Sequence, residues 1–130
     1  MQIRTSIYKN LPRILEHNYV PVAIDTAKPD HPGIISIPEL VPNHYIILGV
    51  QNGDICPELF KVLYTKQLSR LSASTLISRI MDCTGNGNKI CFVSDEKMDK
   101  FLIRKILSKW LEKEGFYCHD IFTRLAKAKR

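Results

Sequence analysis

Lys89-Ile90-Cys91-Phe92-Val93-Ser94 is the stretch that decides the fold. A strand covered on one face alternates apolar and polar residues, whereas 90–93 is apolar without a break. Such a run suits a strand covered on both faces, which predicts a central position in a mostly parallel sheet. The preceding quartet, Gly85-Asn86-Gly87-Asn88, reads as a helix C-cap and turn. A phosphate loop would end in Gly-Lys-Ser/Thr and would leave a strand, while this quartet enters one. Downstream, Asp95-Glu96 opens a helix over residues 97–114. Its apolar stripe is Leu102, Ile103, Ile106, Leu107, Trp110 and Leu111. Gly115 ends that helix, and residues 116–121 make a last strand.

Upstream, 2–7 reads as a short strand and 8–17 as a helix, with Pro12 in its first turn and Asn18 after its end. Residues 19–24 are rich in β-formers with little alternation and form a second strand, although Pro21 limits its pairing. Pro29, Pro32, Gly33 and Pro38 then break residues 25–38 into a long loop without regular structure. The segment 38–49 is open between helix and strand, because a short apolar run does not reveal its period. Pro57-Glu58 begins a helix to about residue 71 with Leu59, Val62, Leu63 and Leu68 at helical spacing. Ser72 or Ser74 caps the next helix, whose stripe is Leu76, Ile77, Ile80 and Met81.

Strands alternating with helices in this order predict an α/β fold, a small doubly wound and mostly parallel sheet with helices on both faces. The 130 residues form a single domain, 1–130, whose last part, about 122–130, is a basic tail. Neither a signal-peptide apolar region near the start nor a membrane-length apolar run is present, which leads to an expected cytoplasmic location without membrane contact. Cys56, Cys83, Cys91 and Cys118 lie far apart with no C-x-x-C pair, so reduced and mostly buried thiols are expected, and neither a zinc site nor a redox dithiol is signalled. The net charge is +6, but Arg124, Lys127, Lys129 and Arg130 supply four of those charges; without them 15 basic side chains face 13 acidic ones. Nucleic-acid binding by the body is therefore expected to be weak.

Several segments together resemble a known family. They are Thr5-Ser6-Ile7-Tyr8, Val20-Pro21-Val22-Ala23-Ile24 with Lys28-Pro29 behind it, and Glu39-Leu40-Val41-Pro42. Tyr64, Leu68 and Lys89-Ile90-Cys91-Phe92-Val93 followed by Glu96-Lys97 continue the pattern. In order and spacing they resemble the small α/β proteins catalogued as domain of unknown function 488, over most of the chain. That family carries a Cys-His-Arg triplet after an aromatic residue, and the aligned stretch here is Phe101-Leu102-Ile103-Arg104. The resemblance implies the same fold. It also implies that any activity using that Cys and His is lost, because leucine and isoleucine offer no nucleophile or acid/base group.

Parallel sheets gather their loops at the carboxyl ends of the strands, where Ser6, Tyr8, Asp25, Thr26, Lys28, Ser94, Asp95, Glu96, His119 and Asp120 would converge. Ser6, Tyr8, Asp25, Lys28, Ser94 and Glu96, with Arg104 from the family pattern, are the candidate ligand-binding residues. The expected partner is a nucleotide or other small anionic ligand. No catalytic residue, metal or cofactor is assigned: carboxylates at strand ends are most often solvated caps, and His119 and Asp120 point to opposite faces of their strand. Two alternatives are an enzyme using strand-end Ser, Asp, Glu or His groups, and a protein-binding or nucleic-acid-binding protein acting through the long loop and basic tail. Leu102 and Ile103 are both expected to be packed, and Arg104 to be solvated.

Overall fold

The computed structural model describes residues 1–27, 29–85 and 89–123. Strand β1, Gln2–Ile7, passes through a 3-10 turn at Tyr8–Asn10 into helix α1, Leu11–Glu16. Pro12 lies in the first turn of α1, where a missing N–H breaks no helical bond, and Asn18 closes the helix with φ 64°. Strand β2, Val20–Ala23, leads to β3, Ile35–Ser36, and a 3-10 turn at Pro38–Leu40. Helices α2, His44–Gln51, α3, Pro57–Ser69, and α4, Ala73–Thr84, come next. Strand β4, Lys89–Ser94, precedes a 3-10 segment at Glu96–Phe101, helix α5, Ile103–Lys113, and β5, Cys118–Asp120.

The strands form one parallel sheet in the order β3-β2-β4-β1-β5. Strand β4 is central, as its unbroken apolar run predicts. Ile90 and Phe92 join the larger core against α3, α4 and α5, while Cys91 and Val93 pack on the other face with Ile14 of α1. Helices therefore cover both faces of the sheet, and the small doubly wound α/β fold is the observed one. The chain moves one way along the sheet through α1 and the other way through α3, α4 and α5, as right-handed crossovers on opposite faces require. Pro21 is tolerated inside the sheet for a local reason. The Ile24 amide donates to Val93 of β4, so alternation turns the Pro21 nitrogen away from β4, toward a flank where β3 reaches only Val22 and Ala23. Among the described residues no helix is long and apolar enough to cross a membrane.

Three expectations need correction. Residues 25–38 are not loop throughout, because β3 adds an edge strand there with Ile34 and Ile37 buried on either side. In α3 the buried stripe is Phe60, Tyr64 and Leu68, and Leu59 and Val62 are exposed. The segment 97–114 is not one helix. A 3-10 segment and α5 meet at Leu102, with Phe101 and Ile103 on either side both buried and Leu102 turned outward. Leu102 is left-handed at φ 57° and 51% exposed, whereas Ile103 is packed as expected. Of the expected basic tail, about 122–130, Phe122 and Thr123 are described. The Phe122 ring lies beneath the Arg13 guanidinium at 4.3 Å, and Thr123 is buried with its hydroxyl on Asp120. Residues 124–130 lie outside the described residues.

Candidate functional site

At the carboxyl ends of the strands, β1 sends the chain to the α1 face and neighbouring β4 sends it to the α5 face. That divergence is where open α/β sheets usually take ligands. Here the point is closed by side chains. The Tyr8 hydroxyl reaches from the end of β1 across β4 and donates to Asp25 Oδ1 at 2.6 Å. Asp25 Oδ1 also accepts from the Ala27 amide at 3.1 Å, and Oδ2 accepts from the Asp95 amide at 2.7 Å. One carboxylate thus ties together the segments that leave β1, β2 and β4. Burial and the neighbouring Asp25 push the Tyr8 phenol well above its ordinary range, so it remains a donor.

One strand over, a cleft of about 610 Å³ opens above the ends of β2 and β4. Its apolar wall includes Ile47 and Val50 of α2, Phe60 of α3, and Met98 and Phe101 of the 3-10 segment. Asp25, Asp95, Glu96, Lys97 and Lys100 also line it. The Asp95 side chain accepts from the Lys97 amide at 3.1 Å and caps the 3-10 segment. The wall contributed by α2 is held from below by Gln67. Its side-chain amide donates to the Glu39 and Val41 carbonyls at 3.1 and 2.8 Å and accepts from the Asn43 amide at 2.8 Å.

A second polar cluster lies over β1, β4 and β5. Arg104 Nε donates to Asp120 Oδ1 at 3.1 Å, Nη2 to Asp120 Oδ2 at 3.4 Å, and Nη1 to Asp99 at 2.6 Å and Ser94 Oγ at 3.4 Å. Asp120 also accepts from the Thr5 hydroxyl at 2.5 Å. With its side chain 14% exposed, Arg104 is not the solvated helix residue expected; it ties α5 to two strands. Burial raises the Asp99 carboxyl above its ordinary value, against the Arg104 charge that lowers it.

The candidate residues are therefore divided. Asp25 and Glu96 line the cleft. Tyr8 supports it from behind through Asp25. Ser94 and Arg104 belong to the separate cluster over β5. Ser6 is fully buried and faces α1, donating to the Ile121 carbonyl at 2.7 Å and accepting from Asn10. Lys28 lies outside the described residues. What the residue pattern missed is the apolar wall: Ile47 falls in the segment 38–49 whose period could not be read, Val50 lies just after it, and Phe60 lies off the stripe chosen for α3. His119 and Asp120 do point apart, the imidazole lying 5.5 Å from the Tyr117 ring. Of the cysteines, Cys91 and Cys118 are buried, and burial pushes the Cys118 thiol up to about 11; Cys56 and Cys83 are exposed. Among the described residues no group of three His, Cys, Asp or Glu side chains is placed to hold a metal ion. No family model matches the chain, and no curated protein or solved structure shows significant similarity to it.

Proposed function

We propose that this chain is a non-catalytic binding module that takes a small ligand with an apolar, ring-bearing body at the carboxyl ends of β2 and β4. The observation that carries this reading is the concave wall of Ile47, Val50, Phe60, Met98 and Phe101 beside a few polar groups. Its volume of about 610 Å³ suits a small molecule. A nucleoside base has the right character. Lys97 and Lys100 can meet an anionic group such as a nucleotide phosphate, but Asp95 and Glu96 stand beside them, so apolar contact carries the affinity.

Two features support binding without catalysis. The hydroxyl, carboxylate and guanidinium groups most suited to chemistry, on Ser6, Tyr8, Asp25, Ser94 and Arg104, are engaged with one another or with the backbone. The resemblance to the domain of unknown function 488 family, with Leu102 and Ile103 at the Cys and His positions, points the same way.

The test is a panel of nucleosides, their 5′-monophosphates and aromatic carboxylates, screened by thermal shift and followed by calorimetry. Val50→Trp, which fills the cleft, serves as the comparison. At least one compound should raise the melting temperature of the native chain, bind the variant at least roughly tenfold more weakly, and be recovered unchanged. Equal binding to the variant, or no binding across the panel, would refute the reading; chemical conversion of the compound would favour the enzyme instead.

A further inference from the structure

The cleft does not end at Pro42. Past Pro42 and Ile47 it continues into a second, more open hollow of about 410 Å³, lined also by Ser36, Val41 and His44. Asp25 and Thr26 line both hollows, so the Asp25 carboxylate stands where they meet. That residue is only 7% exposed. A carboxylate has about four acceptor positions, two on each oxygen. The Tyr8 hydroxyl and the Ala27 amide occupy both on Oδ1, and the Asp95 amide occupies one on Oδ2. Among the described residues these three are the donors to Asp25, which leaves one acceptor position on Oδ2.

A buried acceptor with spare capacity discriminates by chemistry. A ligand O–H or N–H placed there gains a charge-assisted hydrogen bond, whereas an anionic group has no proton to offer and meets a like charge in a region with little water. Beyond the junction, Thr26, Ser36 and His44 present exposed groups that can both donate and accept, which suits a hydroxylated end.

Building on the reading that the cleft binds a small ligand, we propose that Asp25 determines its specificity. It selects a ligand that places its apolar body in the larger hollow and a hydroxyl or amine donor on Asp25 Oδ2, and it rejects one with an anion at that position. A nucleoside has this two-part character, with a flat base and a sugar rich in hydroxyls. The expectation of an anionic ligand is thereby narrowed, since any phosphate must lie away from the junction.

Four probes share an indole ring and differ in the group at the end of a short chain: 3-ethylindole, tryptophol, tryptamine and indole-3-acetate. Titrated into the isotope-labelled full chain and followed by NMR, tryptophol and tryptamine should bind roughly tenfold more tightly than 3-ethylindole. Indole-3-acetate should bind most weakly. Indole-3-acetate binding as tightly as tryptamine overturns the proposal on the native chain alone, whether or not any variant folds. In Asp25→Asn the preference for tryptamine over indole-3-acetate should fall at least fivefold, while Tyr8→Phe, which touches only Oδ1, should keep the order; an unchanged preference in a folded Asp25→Asn overturns the proposal. Val50→Trp separates the two levels of the argument. Four probes bound equally by the native chain and not by Val50→Trp leave the cleft as a binding site and remove the role of Asp25. Binding that Val50→Trp does not change removes the cleft reading itself.

Discussion

Arg104 has its guanidinium between Asp99, Asp120 and Ser94, all within 3.4 Å, and Asp120 in turn holds Thr5 and Thr123. Replacing one partner of such a cluster leaves the others partly buried and unpaired, which costs more than the pair itself contributes. Arg104→Met should therefore destabilise the fold by about 2–3 kcal/mol in urea denaturation, without changing ligand binding in the cleft. A loss below about 0.5 kcal/mol would return Arg104 to the status of a surface residue. Tyr8 makes a second prediction at this scale. Burial and Asp25 hold its phenol protonated in the fold, so its folded pKa lies above the ordinary value near 10. Its contribution is thus fully present below about pH 10 and is lost as pH rises above that, because the unfolded chain ionises first. The native chain should lose stability above about pH 10 more steeply than Tyr8→Phe, and parallel pH profiles would assign the alkaline loss to other groups such as Tyr64.

In α3 the difference of one residue between a buried and an exposed stripe matters for the site. The buried face presents Phe60, Tyr64 and Leu68, and Gln67, one position before Leu68, reaches back to the 39–43 segment. Three hydrogen bonds from one side chain therefore place Pro42 and the start of α2, and with them one wall of the cleft. Gln67→Ala should cost about 2 kcal/mol, taking roughly 0.5–1.5 kcal/mol for each bond. It should also speed hydrogen exchange at the Asn43 amide while β4 stays protected, and an unchanged Asn43 rate would show that α2 is held by packing alone. The same helix leaves Leu59 and Val62 exposed, as α2 leaves Tyr45 and Leu48. These apolar side chains are the feature that most favours the protein-partner alternative.

For the molecule as a whole, the charge separates into a nearly balanced body and a basic end. Deleting residues 124–130 lowers the formal charge from +6 to +2, since four basic and no acidic side chains go with them. If duplex DNA is bound at all, that deletion should weaken binding and flatten its salt dependence by about 0.9 in log–log slope for each phosphate no longer neutralised. An unchanged slope would assign DNA binding to the folded body. Tight, sequence-selective binding at physiological salt would favour nucleic-acid recognition over the small-molecule reading, since the cleft side chains offer apolar wall and mixed charge in place of a basic groove.

Local chemistry was enough to specify the sheet. The unbroken apolar run of Lys89–Ser94 can be satisfied only between two covered faces, and Pro12, Asn18, Gly85 and Gly115 punctuate the chain through backbone preferences that act over a few residues. The resulting order of strands and helices leads to the parallel α/β architecture and correctly places Asp25 and Glu96 at its carboxyl end. Tertiary structure decided the rest, because it depends on partners distant in sequence. Phe101 is buried because Phe60 lies 5.3 Å away, and that packing is what turns Leu102 outward. Ile34 and Ile37 flank an edge strand only because β2 is there to pair with β3. Asp25 is a hydrogen-bonded junction rather than a solvated strand-end carboxylate because Tyr8 and Asp95, 17 and 70 residues away in the chain, meet it from either side.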